Sequence, residues 1–435
     1  MSYYDHTYFD SLFGEFYYPD GTKPQWEAVD CLQRLFMKFF NKLRTKQILT
    51  FPVETMAMVY DPKTNDIIDK DYKDFTAEMY AEGHSFFTYI SDSADSLASC
   101  CRLRNELAEN TFNPTSGLTG VMTGSCNVIT LNINRIVQNW YKEYSPQRHR
   151  SDNGAVERKM IAVRRLWNEE GRNLLSQYIN NILERVYKYH IAFKTMLYDL
   201  EDKGMFAASN GGYIHISKLY STIGINGLNE AARFLGMTVG NNKEYIEFLQ
   251  LVLGTIKEQN KAHSIHDKKR PFLFNSEVVP AESLGGKNYR WDKEDGYIVP
   301  EDENLYNSYF YNAHDDTSVL DKFILHGRQT YQYTDGGSAA HINLEDHLSK
   351  EQYLKLIDFA IANGTNYFTF NIPNSKCDDC GYITKHPIIE CPKCHSHNIT
   401  WHTRVIGYLR PIKAFGIDRF IEAGKRFYSK LKDIC

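Results

Sequence analysis

The sequence predicts an α/β fold with a mainly parallel sheet, and three observations carry that expectation. Helical and strand periodicities alternate along the chain, the strand candidates are separated by long helical stretches, and 435 residues with 42% hydrophobic content can bury a large core. The first element is a helix. Trp26, Val29, Leu32, Phe36, Phe39, Phe40 and Leu43 recur at steps of three and four, which predicts an amphipathic helix whose stripe, with Cys31 beside it, lies in the core. It leads into Ile48-Leu49-Thr50-Phe51-Pro52-Val53, read as a buried strand. Further strands are expected at Val128 to Ile133, Pro271 to Phe274 and Tyr367 to Ile372, and long helices near 155–200, 243–262 and 349–362. The polar stretch Lys142 to Arg158 reads as an exposed connection rather than a phosphate site.

Composition narrows the function. A formal charge of -4 and a pI near 6.4 give no global attraction to nucleic acid. No apolar signal segment precedes Tyr3 and Tyr4, and no run approaches the roughly 20 apolar residues of a membrane span. Nine cysteines in 435 residues is a low density, so a cytoplasmic protein with reduced thiols is expected. The 30 Tyr and 25 Phe are read as core aromatics.

Two motifs carry chemistry. Cys377-x-x-Cys380 and Cys391-x-x-Cys394 present four thiolates at the spacing of a tetrahedral zinc site, with Gly381 after the first pair and Pro392 and Lys393 inside the second. Two disulfides are the alternative, and the reducing compartment argues against them; His395, His397 and His402 are substitute ligands that four cysteines make unnecessary. The second motif is Ser99-Cys100-Cys101-Arg102, on a polar connecting segment where the arginine favours a reactive thiolate; two packing cysteines are an equal reading.

The tail joins these motifs. Asn371-Ile372-Pro373, the two thiol pairs and Thr403-Arg404-Val405-x-Gly407-Tyr408-Leu409 resemble the end of the anaerobic (class III) ribonucleotide reductases, which are glycyl radical enzymes. Phe51-Pro52, Cys101-Arg102, Val128 to Asn132, Gly224 to Asn229, Pro280-Ala281-Glu282-Ser283 and Thr334-Asp335-Gly336-Gly337 follow in the family's order. The resemblance implies a ten-stranded α/β barrel, incomplete at the N-terminus, over 1–372 and a zinc and glycyl radical domain over 373–435. It implies that Gly407 stores a radical made by a separate S-adenosylmethionine iron-sulfur activase. Only glycine lets that centre flatten without a side chain clashing in a tight loop. Cys101, with Cys100 as competitor, is implied as the thiyl that abstracts the 3′ hydrogen of a ribonucleotide, at the triphosphate level. Glu282 is the implied substrate or proton-handling carboxylate. Gly336 and Gly337 either allow close approach to substrate or make a plain turn.

Two departures qualify the resemblance. Ser125, followed by Cys126, stands where formate-using members carry asparagine, so the reductant is formate or a dithiol system in which Cys126 takes part or merely packs. The family's N-terminal ATP-binding region, first strands and second active-site cysteine have no counterpart upstream, where only Cys31 occurs. An N-terminal companion chain is therefore expected, from a split enzyme or a truncated record, along with a dimer carrying allosteric nucleotide sites. Alternatives are another glycyl radical enzyme, which the four cysteines disfavour, a non-catalytic remnant, and a zinc-ribbon binding protein suggested by basic residues from Arg404 to Lys432. Those charges are read as a solvated helix face and an activase contact, with no direct nucleic-acid binding.

Overall fold

The computed structural model describes residues 1–94, 96–98, 104–106, 124–144, 166–279, 281, 283–334 and 338–430. They fall into two units: Met1–Gly120 with Ala313–Arg328 and Ala339–Cys435, and Val121–Asn312 with Gln329–Ser338.

The first unit is built on a sheet whose strands run in the order Ser2–Tyr4, Thr55–Asp61, Phe87–Ser91, Tyr367–Asn371, Ala340–Asn343. All neighbours are parallel except Phe87–Ser91 against Tyr367–Asn371. The two-residue alternation of a strand divides the core between its faces. Met56, Met58, Ile90, Phe368 and Phe370 pack under the helices Lys70–Ala81 and Lys350–Asn363 with Tyr72, Tyr80 and Tyr353. Ala57, Val59, Phe87, Tyr89 and Tyr367 pack on the other face with Tyr8 and Leu12 of the helix His6–Phe13. The helix Lys350–Asn363 starts with a capping box between Ser349 and Gln352 and stops at Gly364, whose φ of 71° suits glycine.

The second unit has a parallel sheet of Gly124–Asn132, Leu219–Asn226 and Leu273–Val278. The long helices Glu169–Asp202 and Lys243–His263 cover one face. Tyr187 of the first stacks on His263 of the second at 4.3 Å and meets Phe274 of the sheet edge-on at 4.7 Å.

Several expectations shift. The run 48–53 is not a strand: Pro52 cannot donate to a ladder, Phe51 is exposed, and the buried strand begins at Thr55. The expected strand from Val128 starts earlier, at Gly124, and Ile133 opens the next helix, Ile133–Tyr144. The strand at 271–274 is instead Leu273–Val278. The helix of 26–43 forms, yet its aromatic stripe faces outward, with Leu35 63% and Phe39 55% exposed. Cys31 is exposed with it, which corrects the core assignment. The inward side is instead partly polar: Gln33 bonds both backbone groups of Tyr4, and Asn41 and Met37 are buried. Most of the stretch expected as an exposed connection lies outside the described residues.

Candidate functional site

The C-terminal segment folds as an antiparallel sheet in the order Ile383–Thr384, Asn374–Cys377, Ile399–Arg404, Leu409–Pro411. Its two C-x-x-C turns are alike. Gly381 N–H donates to Cys377 O and His395 N–H to Cys391 O, and both Gly381 and His395, each following a second cysteine, have positive φ, 72° and 60°. The four Sγ atoms lie within 4.8 Å of one another, with Cys377 to Cys394 and Cys380 to Cys391 at 3.6 Å. That is far beyond a disulfide and close to the ~3.8 Å separating two sulfurs at opposite corners of a Zn–S tetrahedron. The donor set therefore fits zinc. The three histidines turn elsewhere: His395 Nδ1 bonds Glu390, and His397 Nδ1 and His402 Nδ1 face the backbone oxygens of Ile389 and Thr400.

From this clip a single strand leads to Gly407. Cys377 pairs with Ile399 at one end of Ile399–Arg404, and at the other end Arg404 pairs with Leu409 across a tight turn closed by Val405 N–H to Tyr408 O at 3.0 Å. Gly407 sits in that turn, roughly 20 Å of strand away from the clip. Side chains fix the turn from three sides. Thr403 Oγ1 donates to Asn371 Oδ1 at the end of the main sheet (2.9 Å). Arg426 donates to Arg404 O (2.7 Å) and Val405 O (3.1 Å), and Glu422 holds Arg426. Arg404 reaches forward to Gly407 O at 2.9 Å. Phe51 stacks on Tyr408 with ring centres 5.7 Å apart. Among the described residues, a Cβ on Gly407 would meet no atom within 4 Å, and its φ is not positive, so neither crowding nor backbone strain demands glycine here.

In the second unit, Ser125 lies at the start of the strand Gly124–Asn132. Thr222 Oγ1 stands 2.8 Å from both Ser125 Oγ and Asn275 Oδ1, so three adjacent strands contribute one polar row. Cys126 is the extra residue of a β-bulge, where the register shifts between Ser125 and Asn127. Its Sγ is 3.7 Å from Ser221 Oγ, on the helix-covered side of the sheet that Phe274 shares. Beneath it Lys194 is buried and donates to Leu219 O; burial pushes its ammonium down to about 8 against the opposing pull of Cys126. Cys126 and Ser125 thus serve opposite faces.

The end of Leu219–Asn226 and the turn after it give their glycines and asparagines structural work. A side chain on Gly224 would collide with Thr130, Gly227 has φ 84°, and Asn226 is bonded to Asn288 and to Asn307 O. Nearby, buried Asp292 gathers Asn132, Asn134, Arg135 and the Tyr306 hydroxyl at 2.6–3.1 Å.

A family model for anaerobic ribonucleoside-triphosphate reductase matches residues 10–428. The chain belongs to that family. Among solved structures, this member of the reductase family is similar to the anaerobic ribonucleotide reductase from Thermotoga maritima in complex with dATP and CTP. The TM-score is 0.77 at 25% identity, over 97% of this chain and 64% of that one. A second anaerobic ribonucleotide reductase gives a TM-score of 0.79 at 24% identity, over 99% of this chain and 63% of that one. A glycyl radical enzyme from Archaeoglobus fulgidus, at 12% identity over 95% of this chain and 56% of that one, shares the fold with a TM-score of 0.50. The chain therefore spans under two thirds of the length of these relatives. No curated protein sequence matched.

Of the residues expected to act, the structure brings the four cysteines and Gly407 onto one small sheet and the turns at its two ends. Ser125 belongs to the other unit, and Cys100, Cys101, Glu282, Gly336 and Gly337 lie outside the described residues. Arg404 stands within the motif, but its place in the sequence carries no sign that it is the partner of Gly407 O. Nor does the sequence mark Thr222 and Asn275, which only strand register sets beside Ser125.

Proposed function

We propose that this chain carries the radical-storing and catalytic part of an anaerobic ribonucleoside-triphosphate reductase. The observation that carries this reading, beside family membership, is the single strand joining the four-cysteine clip to a Gly407 turn held at three carbonyls. Zinc, held by Cys377, Cys380, Cys391 and Cys394, would supply structural rigidity. The ten-stranded α/β barrel implied by the resemblance, with 1–372 as its catalytic portion and 373–435 as the zinc and radical domain, is part of the same proposal.

In this reading an S-adenosylmethionine-derived carbon radical on a separate iron-sulfur activase takes a hydrogen atom from Gly407 Cα. The glycyl radical then takes the thiol hydrogen of Cys101. The Cys101 thiyl removes the 3′ hydrogen of the ribonucleotide, and the 2′ hydroxyl leaves as water with a proton handled by Glu282. Two electrons enter from formate, which becomes carbon dioxide, or from a dithiol, which becomes a disulfide. The 3′ hydrogen then returns from Cys101. Ser125, at the asparagine position of formate users, is the residue by which the resemblance bears on the choice of reductant. The position of Cys126, a bulge residue whose Sγ meets Ser221 on the helix-covered side of the sheet while Ser125 serves the other face, favours packing over a redox role.

The partners proposed are a ribonucleotide triphosphate, the activase, a second copy in a dimer with allosteric nucleotide sites, and a companion N-terminal segment. The exposed stripe Leu32, Leu35, Phe36 and Phe39 supports the last, because an apolar helix face of this extent calls for a cover. A reduced four-thiolate clip suits the cytoplasm, and no helix among the described residues is long and apolar enough to cross a membrane.

The test is an anaerobic electron paramagnetic resonance spectrum after activation, with the companion segment present. A glycyl doublet that Gly407→Ala removes, together with deoxynucleotide formation that Cys101→Ser abolishes, is expected. Absence of any doublet would favour a non-catalytic remnant. Comparing product yield with formate and with reduced thioredoxin identifies the reductant.

A further inference from the structure

Arg404 occupies an unusual place for a guanidinium. It is 3% exposed, and among the described residues it forms no ion pair with a carboxylate. Nη1 donates to Gly407 O (2.9 Å), Nη2 donates to Ser85 Oγ (2.8 Å), and its plane lies over the Phe87 ring at 4.5 Å. A second buried guanidinium, Arg44, donates to Ser85 O at 3.1 Å, and its Nε and Nη1 have no partner among the described residues. Glu54 is the acid of this neighbourhood, and its oxygens are taken by His84 Nε2 (2.9 Å) and the Tyr3 hydroxyl (2.6 Å). Burial and the charge of Arg44 bring Arg404 down to about 10, so it stays a cation at neutral pH. Burying a cation without a carboxylate is costly. Here the charge is directed at one carbonyl oxygen.

We propose that Arg404 is the positioning residue of the radical loop, holding the Gly407 carbonyl and stabilising the Gly407 radical more than the intact glycine. The inference rests on the reading of Gly407 as the radical site. Removing a hydrogen atom from Cα leaves an unpaired electron spread over the amide nitrogen and the carbonyl, and electron density rises on the carbonyl oxygen. A preorganised cationic donor at that oxygen gains interaction energy in the radical that it lacks in the parent peptide. Arginine suits the task because its planar fork bonds Gly407 O and Ser85 Oγ together, so the donor is already aimed. Arg426 holds the backbone oxygen of Arg404 itself, which fixes the root of the side chain.

The experiment uses the full chain with its companion segment, the activase and S-adenosylmethionine under anaerobic conditions, and compares wild type with Arg404→Lys and Arg404→Gln. Zinc content and melting temperature establish that each variant is folded. The expected result is a fall in radical per chain of roughly 10-fold or more for Arg404→Gln, with partial rescue by Arg404→Lys. A larger α-proton splitting in the glutamine variant is also expected, because spin leaving the carbonyl returns to Cα. A folded, zinc-loaded Arg404→Gln with unchanged yield and splitting overturns this inference alone. No doublet from wild type overturns it together with the radical reading. Should both variants fail to fold, electron-nuclear double resonance on wild type in D2O decides: an exchangeable deuteron coupled at the Gly407 carbonyl supports Arg404, and its absence refutes it.

Discussion

Gly224 and Gly407 differ in what surrounds them. Gly224 is a packing glycine, since a Cβ there collides with Thr130 and comes within 2.8 Å of Val279 Cγ1. Gly224→Ala should cost about 1–3 kcal/mol, measured as a shift in the urea midpoint, and an unchanged midpoint would refute the crowding argument. Gly407 has open space around its Cα among the described residues. Gly407→Ala is therefore expected to hold stability within about 0.5 kcal/mol while abolishing the radical signal. The expectation that a side chain there clashes in a tight loop is not met among the described residues, so in the proposed reading the need for glycine is electronic, a planar, delocalised centre. His190 supplies a pH dependence at the same scale. It is fully buried, and burial pushes its imidazole down to about 4 from an unfolded value near 6.5. Between those values the unfolded chain binds a proton that the folded chain does not, so stability falls as the pH drops from about 6.5 to about 4, by up to ~3 kcal/mol. His190→Gln should lose less stability than wild type between pH 7 and pH 4.5 in paired urea titrations. Equal losses would show that His190 titrates normally.

At the scale of elements, the four-cysteine clip and the Gly407 turn lie at the two ends of one strand. Cys391→Ser, or removal of zinc by a chelator, should raise amide hydrogen exchange at Val405 and Tyr408 and lower the radical yield with it. Unchanged exchange at the turn would mean that the Asn371, Arg426 and Arg404 bonds hold it unaided. The repeated C-x-x-C spacing made the clip legible, because ligands of one ion must come from two tight turns whose residues are sequence neighbours. The turn's other supports were not legible: Asn371 and Ser85 stand 32 and 319 residues from their partners. The helix Trp26–Leu43 teaches the complementary lesson. Periodicity reveals a helix with an apolar face, but the sheet receives the side bearing Gln33, Met37 and Asn41. If the outward stripe receives a companion segment, Leu35→Glu should change the chain's own stability by no more than about 0.5 kcal/mol and abolish co-purification with that segment. Retained association would place the contact elsewhere.

Across the whole molecule, the alternation of helices and strands points to the α/β class; the helices Lys243–His263 and Lys350–Asn363 lie where 3.6-residue periodicity places them, whereas the helix expected near 155–200 begins only at Glu169, with 155–165 outside the described residues. Strands Phe87–Ser91 and Ala340–Asn343 are not legible in the sequence because both are short and buried on two faces, so neither shows the alternation of a half-exposed strand. The strand Thr55–Asp61 lies just past the apolar run 48–53 in which the sequence places it, because Pro52 interrupts pairing there. What the sequence determined by itself is local spacing: four cysteines in two C-x-x-C turns that could hold one metal, and a glycine in a fixed motif thirteen residues after the last of them. What only the tertiary structure decided is orientation. It sets Cys126 against Ser221 and Ser125 beside Thr222, turns the Phe39 stripe outward, and directs Arg404 at the carbonyl of Gly407. Metal ligands and motifs act through neighbours along the chain, whereas burial and hydrogen bonding are settled by residues that the fold brings from far away.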